Sequence, residues 1–477
     1  MKFRKLIINA AVLAVGSALG AQEIHIGGYV DYSSTLATQV VNKEPGADEW
    51  DATQVGAEFG PVQNGIHFLN LDATALNVDF HTNVWIGSGL GPWYADVPQY
   101  IDRSVYNGSN AFDASADDAS SPIGQMWVCT HFVDDQLRFY TGNFASNGWN
   151  AGYVFGGYVL GGQKIEGLAG RALGSDSAFT GVEVLPRALN GFKAIVGFPV
   201  APFVDSYEKF NDWSHFIKSV KFMTQYRWLL YNVTFNAGVR PNSYMTNGDG
   251  YKFSGDYTES LFGEAFLQVD MPSLIYGVQM NASYDFRWRD VEESGSVLKS
   301  GKDWSDTAFA HILQASARFA NLVEGWTFGV EDRFAYYQPH YIAINETAIY
   351  NVLAVSGEHP IAGTSYAFGF NTQFMYGQDA SGKANGYNKG DISDYFDAYC
   401  SDLIAFDANF MGLDGETAPS SGSAGRYFSV YGYPYVQKNF ANGYTRLGVE
   451  LQYKHLETSN VLESFSWRVP LTLTFWW

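Results

Sequence analysis

Apolar and polar residues trade places one by one along much of this chain, and the clearest stretch runs from 259 to 287. Leu261, Gly263, Ala265, Leu267 and Val269 alternate with Phe262, Glu264, Phe266, Gln268 and Asp270. After Met271-Pro272-Ser273, Tyr276, Val278, Met280, Ala282, Tyr284 and Phe286 alternate with Gly277, Gln279, Asn281, Ser283, Asp285 and Arg287. A period of two places the two sets on opposite faces of a β-strand. The pattern predicts a hairpin turning at 271–273, with strands long enough to cross a bilayer at a tilt.

The same rhythm predicts hairpins of 307–319 with 325–337, 346–356 with 365–377, and 427–437 with 444–455. Their turns fall at Asn321–Gly325, Gly357–Pro360 and Lys438–Gly443. A last strand covers 465–477. Upstream, weaker alternation predicts strands near 22–34, 52–72 (bent at Gly60-Pro61), 76–86, 125–133, 136–144, 177–185, 191–198, 216–226 and 229–239. The sum is about 18 strands, with 16 as the alternative. Short turns at one end alternate with long connections at the other, as in a transmembrane antiparallel barrel with short periplasmic turns and long extracellular loops.

The final strand is the most informative. Trp467, Val469, Leu471, Leu473, Phe475 and Trp477 share one face; Arg468, Pro470, Thr472, Thr474 and Trp476 share the other. A run of aliphatics closed by aromatics suits a lipid-facing surface ending at a membrane boundary. This end resembles the C-terminal assembly signal of bacterial outer-membrane β-barrel proteins, with Val469, Leu471, Leu473, Phe475 and Trp477 in its alternate apolar places. The terminal Trp, where that signal more often has Phe, is a departure. The resemblance implies an all-β barrel in the cell outer membrane, with outer-membrane lipid, lipopolysaccharide and the barrel assembly machinery as partners.

The start of the chain agrees. Lys2, Arg4 and Lys5 precede an apolar run closing on Ala18-Leu19-Gly20-Ala21. This has the form of a signal peptide over 1–21, leaving 22–477 as a single barrel. Aromatic residues make up 17% of the chain, and they are interleaved with polar ones rather than gathered in long apolar runs. The formal net charge is -20; removing the +3 of Lys2, Arg4 and Lys5 leaves -23. Such a balance argues against nucleic acid and favours attraction of cations, although surplus acid also serves as solubilising loop charge.

Candidate chemistry lies on the face expected to be wet. Glu264, Asp270, Asp285, Arg287, Arg318, Glu331, Arg333, Arg446, Glu450 and Lys454 share it. On the lipid side, a cation at mid-bilayer costs about 2–4 kcal/mol, so these charges are expected to line the lumen. There they either set up a transverse field or neutralise one another across neighbouring strands. Asp332 breaks the pattern by falling on the apolar face, which a register shift or a place near the rim would explain. Loop 378–426 carries Asp391, Asp394, Asp397, Asp402 and Asp407, and no Lys or Arg lies between Asp391 and Glu416. It is either a cation-favouring cover over the mouth or an ordinary solvated loop. Loop 145–176 carries Trp149, Tyr153, Phe155 and Tyr158. It resembles the constriction loop of porins in length and position only; a strand pair or packing against the wall is the rival reading.

Cys129, expected to face the lumen with Trp127 and His131, pairs with Cys400 only if loop 378–426 dips inside. No zinc spacing, phosphate-binding loop, nucleophile elbow or Cys-x-x-Cys is found, so neither metal nor cofactor nor catalytic residue is expected. The expected function is a porin-like channel for passive diffusion of small hydrophilic solutes, with cation preference suggested by the charge. A transporter of hydrophobic substrates and a structural or adhesive barrel are the alternatives. A homotrimer is admitted by the resemblance to porins and is not required by the residues.

Overall fold

A computed structural model describes residues 23–43, 48–58, 67–75, 77–85, 123–142, 179–199, 220–243, 262–290, 292–294, 297–299, 307–338, 348–379, 425–457 and 461–477. The segment 1–21 and the loop stretches 145–176 and 380–424, with Cys400 and the five loop aspartates, lie outside the described residues. The strands are β1 (Glu23–Lys43), β2 (Asp51–Glu58), β3 (His67–Ala75), β4 (Val78–Trp85), β5 (Ile123–Phe132), β6 (Leu137–Gly142), β7 (Phe179–Val184) and β8 (Phe192–Pro199). They continue with β9 (Lys221–Trp228), β10 (Val233–Ser243), β11 (Phe262–Ile275), β12 (Val278–Asp290), β13 (Glu292–Ser294), β14 (Val297–Lys299), β15 (Thr307–Ala320) and β16 (Thr327–Gln338). The last are β17 (Ala348–Pro360), β18 (Tyr366–Asp379), β19 (Gly425–Phe440), β20 (Gly443–Gly448), β21 (Glu450–Glu457) and β22 (Val461–Trp476).

Twenty strands form one sheet, and β13 with β14 make a separate hairpin. Every ladder is antiparallel, most join strands that follow one another in the chain, and β22 returns to pair with β1 from Tyr29↔Trp476 to Lys43↔Glu463. The ring of strands therefore closes, and among the described residues of this sheet β2 alone is paired on one side only, to β1. In hydrocarbon a closed sheet is one of the two ways to pair every backbone group, which is why closure matters here. At the seam Gly28 and Trp477 exchange hydrogen bonds, the amide of each donating to the carbonyl of the other at 3.0 and 3.1 Å. A Cβ on Gly28 would lie 2.2 Å from the Trp477 ring, so the missing side chain lets the indole lie across the first strand.

Two interruptions have local causes. β20 and β21 both run between β19 and β22, parted at Val449, opposite Pro434. Pro434 has no amide hydrogen, so the exchange is one-way: Val449 N–H donates to Pro434 O at 3.1 Å. β2 and β3 likewise share β1 as neighbour, separated by 59–66, which fall outside the described residues. Counting each such pair as one stave gives 20 − 2 = 18 staves among the described residues.

The expected hairpins are present, with three turns displaced. The turn expected at Met271-Pro272-Ser273 lies at Tyr276-Gly277, with φ of 54° and 78°. Positive φ at both central residues is what a two-residue hairpin requires to match strand twist. Pro272 is absorbed in β11, at the irregularity between Met271 and Ile275. Gly357–Pro360 belong to β17, with the reversal at 361–365, and Lys438–Phe440 belong to β19.

The two faces are chemically opposite. Leu267, Phe235, Leu313, Phe374, Leu447, Leu451, Phe465 and Leu473 are all exposed, on the outer face. On the inner face Asn236, Gln268, Asn281, Ser283, Gln314, Ser316, Gln373, Ser429, Gln452 and Ser464 are buried. A water-soluble domain arranges these classes the other way round. The order found here suits a wall with hydrocarbon outside. Among the described residues no helix is long and apolar enough to cross a membrane, which says nothing of crossing by strands.

Candidate functional site: the inner wall

The inner wall is built by alternate positions of successive strands, so each ladder register decides which side chains meet. Of the ten residues singled out in sequence, five have described side chains. Asp270, opposite Asn281, accepts a hydrogen bond from Asn281 Nδ2 at 3.2 Å. Glu331 is buried in a neutral band with Gln314, Ser316 and Gln373. Arg446 packs its guanidinium 3.9 Å from the Tyr435 ring centroid and donates to Gln437 Oε1 at 3.0 and 2.7 Å. Glu450 is buried and accepts from Arg468 Nε at 2.6 Å. Arg318 is exposed near the short-turn end, opposite Gln279 and Gly329.

For Glu264, Asp285, Arg287, Arg333 and Lys454 only the backbone placement is described. Glu264 sits opposite Arg240 and Arg287, Asp285 opposite Phe266 and Ile312, Arg333 opposite Gln314 and Val352, and Lys454 opposite Ser429 and Ser464. All ten share the inner parity, but they are spread around the wall and do not converge on one point. Where a described charge has a charged partner, as at Glu450–Arg468, the pair is local.

Asp332 is outward, as its parity says, and neither suggested reason applies. The ladders of β16 with β15 and β17 run without a shift, and Asp332 lies mid-strand opposite Ala315 and Leu353. Its carboxylate accepts from Asn351 Nδ2 at 2.8 Å, on the same face. A neighbouring amide, rather than a rim position, is what accommodates it.

Sequence reasoning missed the densest cluster of charges among the described residues, formed by β4 to β8 near the end that carries Glu23 and Trp477. His131 Nε2 lies 2.7 Å from Asp79 Oδ2, and its Nδ1 lies 2.5 Å from Asp135 Oδ1. Asp135, in the turn after β5, takes a bidentate fork from Arg138, Nε and Nη2 donating at 2.6 Å each. That pairing holds the Asp135 carboxyl at about 2, below its ordinary 3.8. Arg138 Nη1 also donates to Glu183 Oε2 at 3.2 Å, and Tyr140 O–H donates to the same oxygen at 2.9 Å. Lys193 Nζ stands 3.7 Å from Glu183 Oε1. Glu183 is fully buried, so its charge is balanced by these groups rather than by water. Beside the network an apolar cluster of Cys129, Tyr140, Ile195, Met223 and Phe266 packs on the inner face with Trp127 against it. Cys129 is a free thiol, buried as expected of an inward residue.

No protein-family model matches the chain, and no curated protein matches it. Among solved structures it is similar to the outer membrane channel DcaP of Acinetobacter baumannii at 8% identity and a TM-score of 0.43, covering 95% of this chain and 97% of that one. It is also similar to a BenF-like porin from Pseudomonas fluorescens Pf-5 at 8% identity and 0.43, covering 96% and 100%. The outer membrane protein OmpT of Vibrio cholerae gives 10% and 0.36, covering 96% and 99%. At such identities and scores the fold rests on this chain's own ladders and faces.

Proposed function

We propose that this chain is an outer-membrane barrel acting as a porin-like channel, passing small hydrophilic solutes by passive diffusion without bond chemistry. The observation that carries the reading is the reversal of faces in a closed sheet: buried Asn, Gln and Ser inside, exposed Leu, Phe and Trp outside. Sixteen to eighteen staves leave an aqueous lumen unless something fills it. The net charge of -20 favours cations over anions in that lumen. Glu331 and Arg446, beside neutral hydrogen-bonding groups, and the Glu450–Arg468 pair then act on solutes through local fields rather than as one charged ring.

The test is reconstitution of purified protein in a planar bilayer. Stepwise conductance is expected, with a reversal potential in a salt gradient on the cation-selective side. A membrane that stays silent at all voltages removes the channel reading. Steps with anion selectivity would keep the channel and remove the cation preference.

A further inference from the structure

The charged wall contains a second, more local arrangement. Asp79 on β4 stands directly opposite Cys129 on β5, and His131 follows Cys129 two positions along the same face. A carboxylate oxygen of Asp79, Cys129 Sγ and a ring nitrogen of His131 all lie within 4.8 Å of one another. The sulfur is 3.6 Å from the ring nitrogen. We propose that these three side chains bind a zinc-class divalent cation on the inner wall near the short-turn end, leaving a fourth position for water.

Each group carries support beyond proximity. Metal-ligand bonds of about 2.0–2.3 Å put the ligand atoms of a tetrahedral site roughly 3.3–3.8 Å apart, close to the sulfur–nitrogen separation found. The Asp79–His131 contact at 2.7 Å has only to open slightly, and the Asp79 side chain is 33% exposed. Its other oxygen, Oδ1, accepts a hydrogen bond from Thr74 at 3.0 Å, so Oδ2 is the one turned to the site. His131 presents Nε2 because Nδ1 is engaged by Asp135, itself gripped by Arg138. A carboxylate behind the ligating imidazole is the usual way proteins orient a metal-binding histidine. Thiolate with imidazole and carboxylate selects zinc-like ions over calcium or magnesium, which prefer oxygen alone. On binding, the Cys129 thiol proton passes to solvent, and the imidazole Nε2 and the Asp79 carboxylate turn lone pairs to the dication.

The rival is a protonated His131 bridging two carboxylates with no metal. The probe that separates them is cobalt(II), followed by zinc(II), added to purified full-length barrel in detergent. One equivalent of cobalt is expected to give a sulfur-to-cobalt charge-transfer band and intense tetrahedral d–d bands, both displaced by zinc. Cys129→Ser abolishes the charge-transfer band, and His131→Ala removes stoichiometric binding. Cys400→Ser changes neither. Asp135→Asn, in a positioning residue, weakens binding by about 10–100-fold while the thiolate band survives at saturation. Circular dichroism checks that each variant keeps its strands. If a variant fails to fold, the unmodified protein still decides. A cobalt complex lacking the thiolate band, absence of stoichiometric binding, or a band surviving Cys129→Ser in folded protein overturns the proposal.

Discussion

Two walls of one barrel solve the same problem with different chemistry. Across β12 to β18 the buried inner side chains that are described are mostly neutral: Asn281, Ser283, Gln314, Ser316 and Gln373, with Glu331 the buried acid, while Arg318 is exposed and Asp285, Arg287 and Arg333 share the inner parity with side chains outside the described residues. Across β4 to β8 the inner face carries Asp79, His131, Arg138, Glu183 and Lys193, joined in one chain of contacts through Asp135. Both walls turn most of their apolar residues outward, apart from the inner cluster of Ile195, Met223 and Phe266 beside the charged wall. The comparison teaches that the fold demands only hydrogen-bonding capacity inside and hydrocarbon outside. Concentrated charge on one wall is therefore an addition to the fold.

The comparison yields an ordered set of outcomes. The largest concerns Glu183. Glu183→Ala leaves Arg138 and Lys193 facing a buried space with no carboxylate, and is expected to cost about 3–5 kcal/mol in denaturant unfolding of the detergent-solubilised barrel. Next, Tyr140→Phe deletes one hydrogen bond to that carboxylate and is expected to cost about 1.5–3 kcal/mol. On the neutral wall, Gln314→Leu is expected to stay within about 1 kcal/mol, because amide and replacement have similar volume and no charge is stranded. A loss at Gln314 equal to that at Glu183 would erase the distinction between the walls.

The smallest effect is in acid. Asp135 has a folded value of about 2 against an ordinary 3.8, so its pairing with Arg138 contributes stability above 3.8 that drains away as pH falls toward about 2. Thermal unfolding of the unmodified protein and of Asp135→Asn should converge across that window. A constant gap would show that the carboxylate charge is not what the turn uses.

The neutral wall was legible in the sequence and the charged wall was not, for physical reasons. Along β11 to β18 most strands run 12 to 14 residues, and a period of two persists long enough to show which face each side chain takes. Inward placement of Glu331 and Glu450 follows from parity alone. β6 and β7 are six residues each, too few for alternation to stand out. The groups that meet around Glu183 come from β6, β7 and β8, so only the ladder registers bring them together. His131 was visible as an inward residue, but Asp79 opposite Cys129 was not, because a 37-residue stretch, 86–122, separates β4 from β5. The misplaced turn at Pro272 has a similar origin. Proline marks a reversal in sequence, whereas an irregular ladder accommodates it within a strand.

The central claim is that one face of every strand meets water and the other meets hydrocarbon. The most direct test is a cysteine scan along β18 in a background with Cys129 and Cys400 replaced by Ala, in lipid vesicles. A charged, water-soluble thiol reagent should label positions 371, 373 and 375. Positions 370, 372 and 374 should react only with a reagent dissolved in the bilayer. Labelling of all six by the charged reagent, or a repeat other than two, would contradict the account.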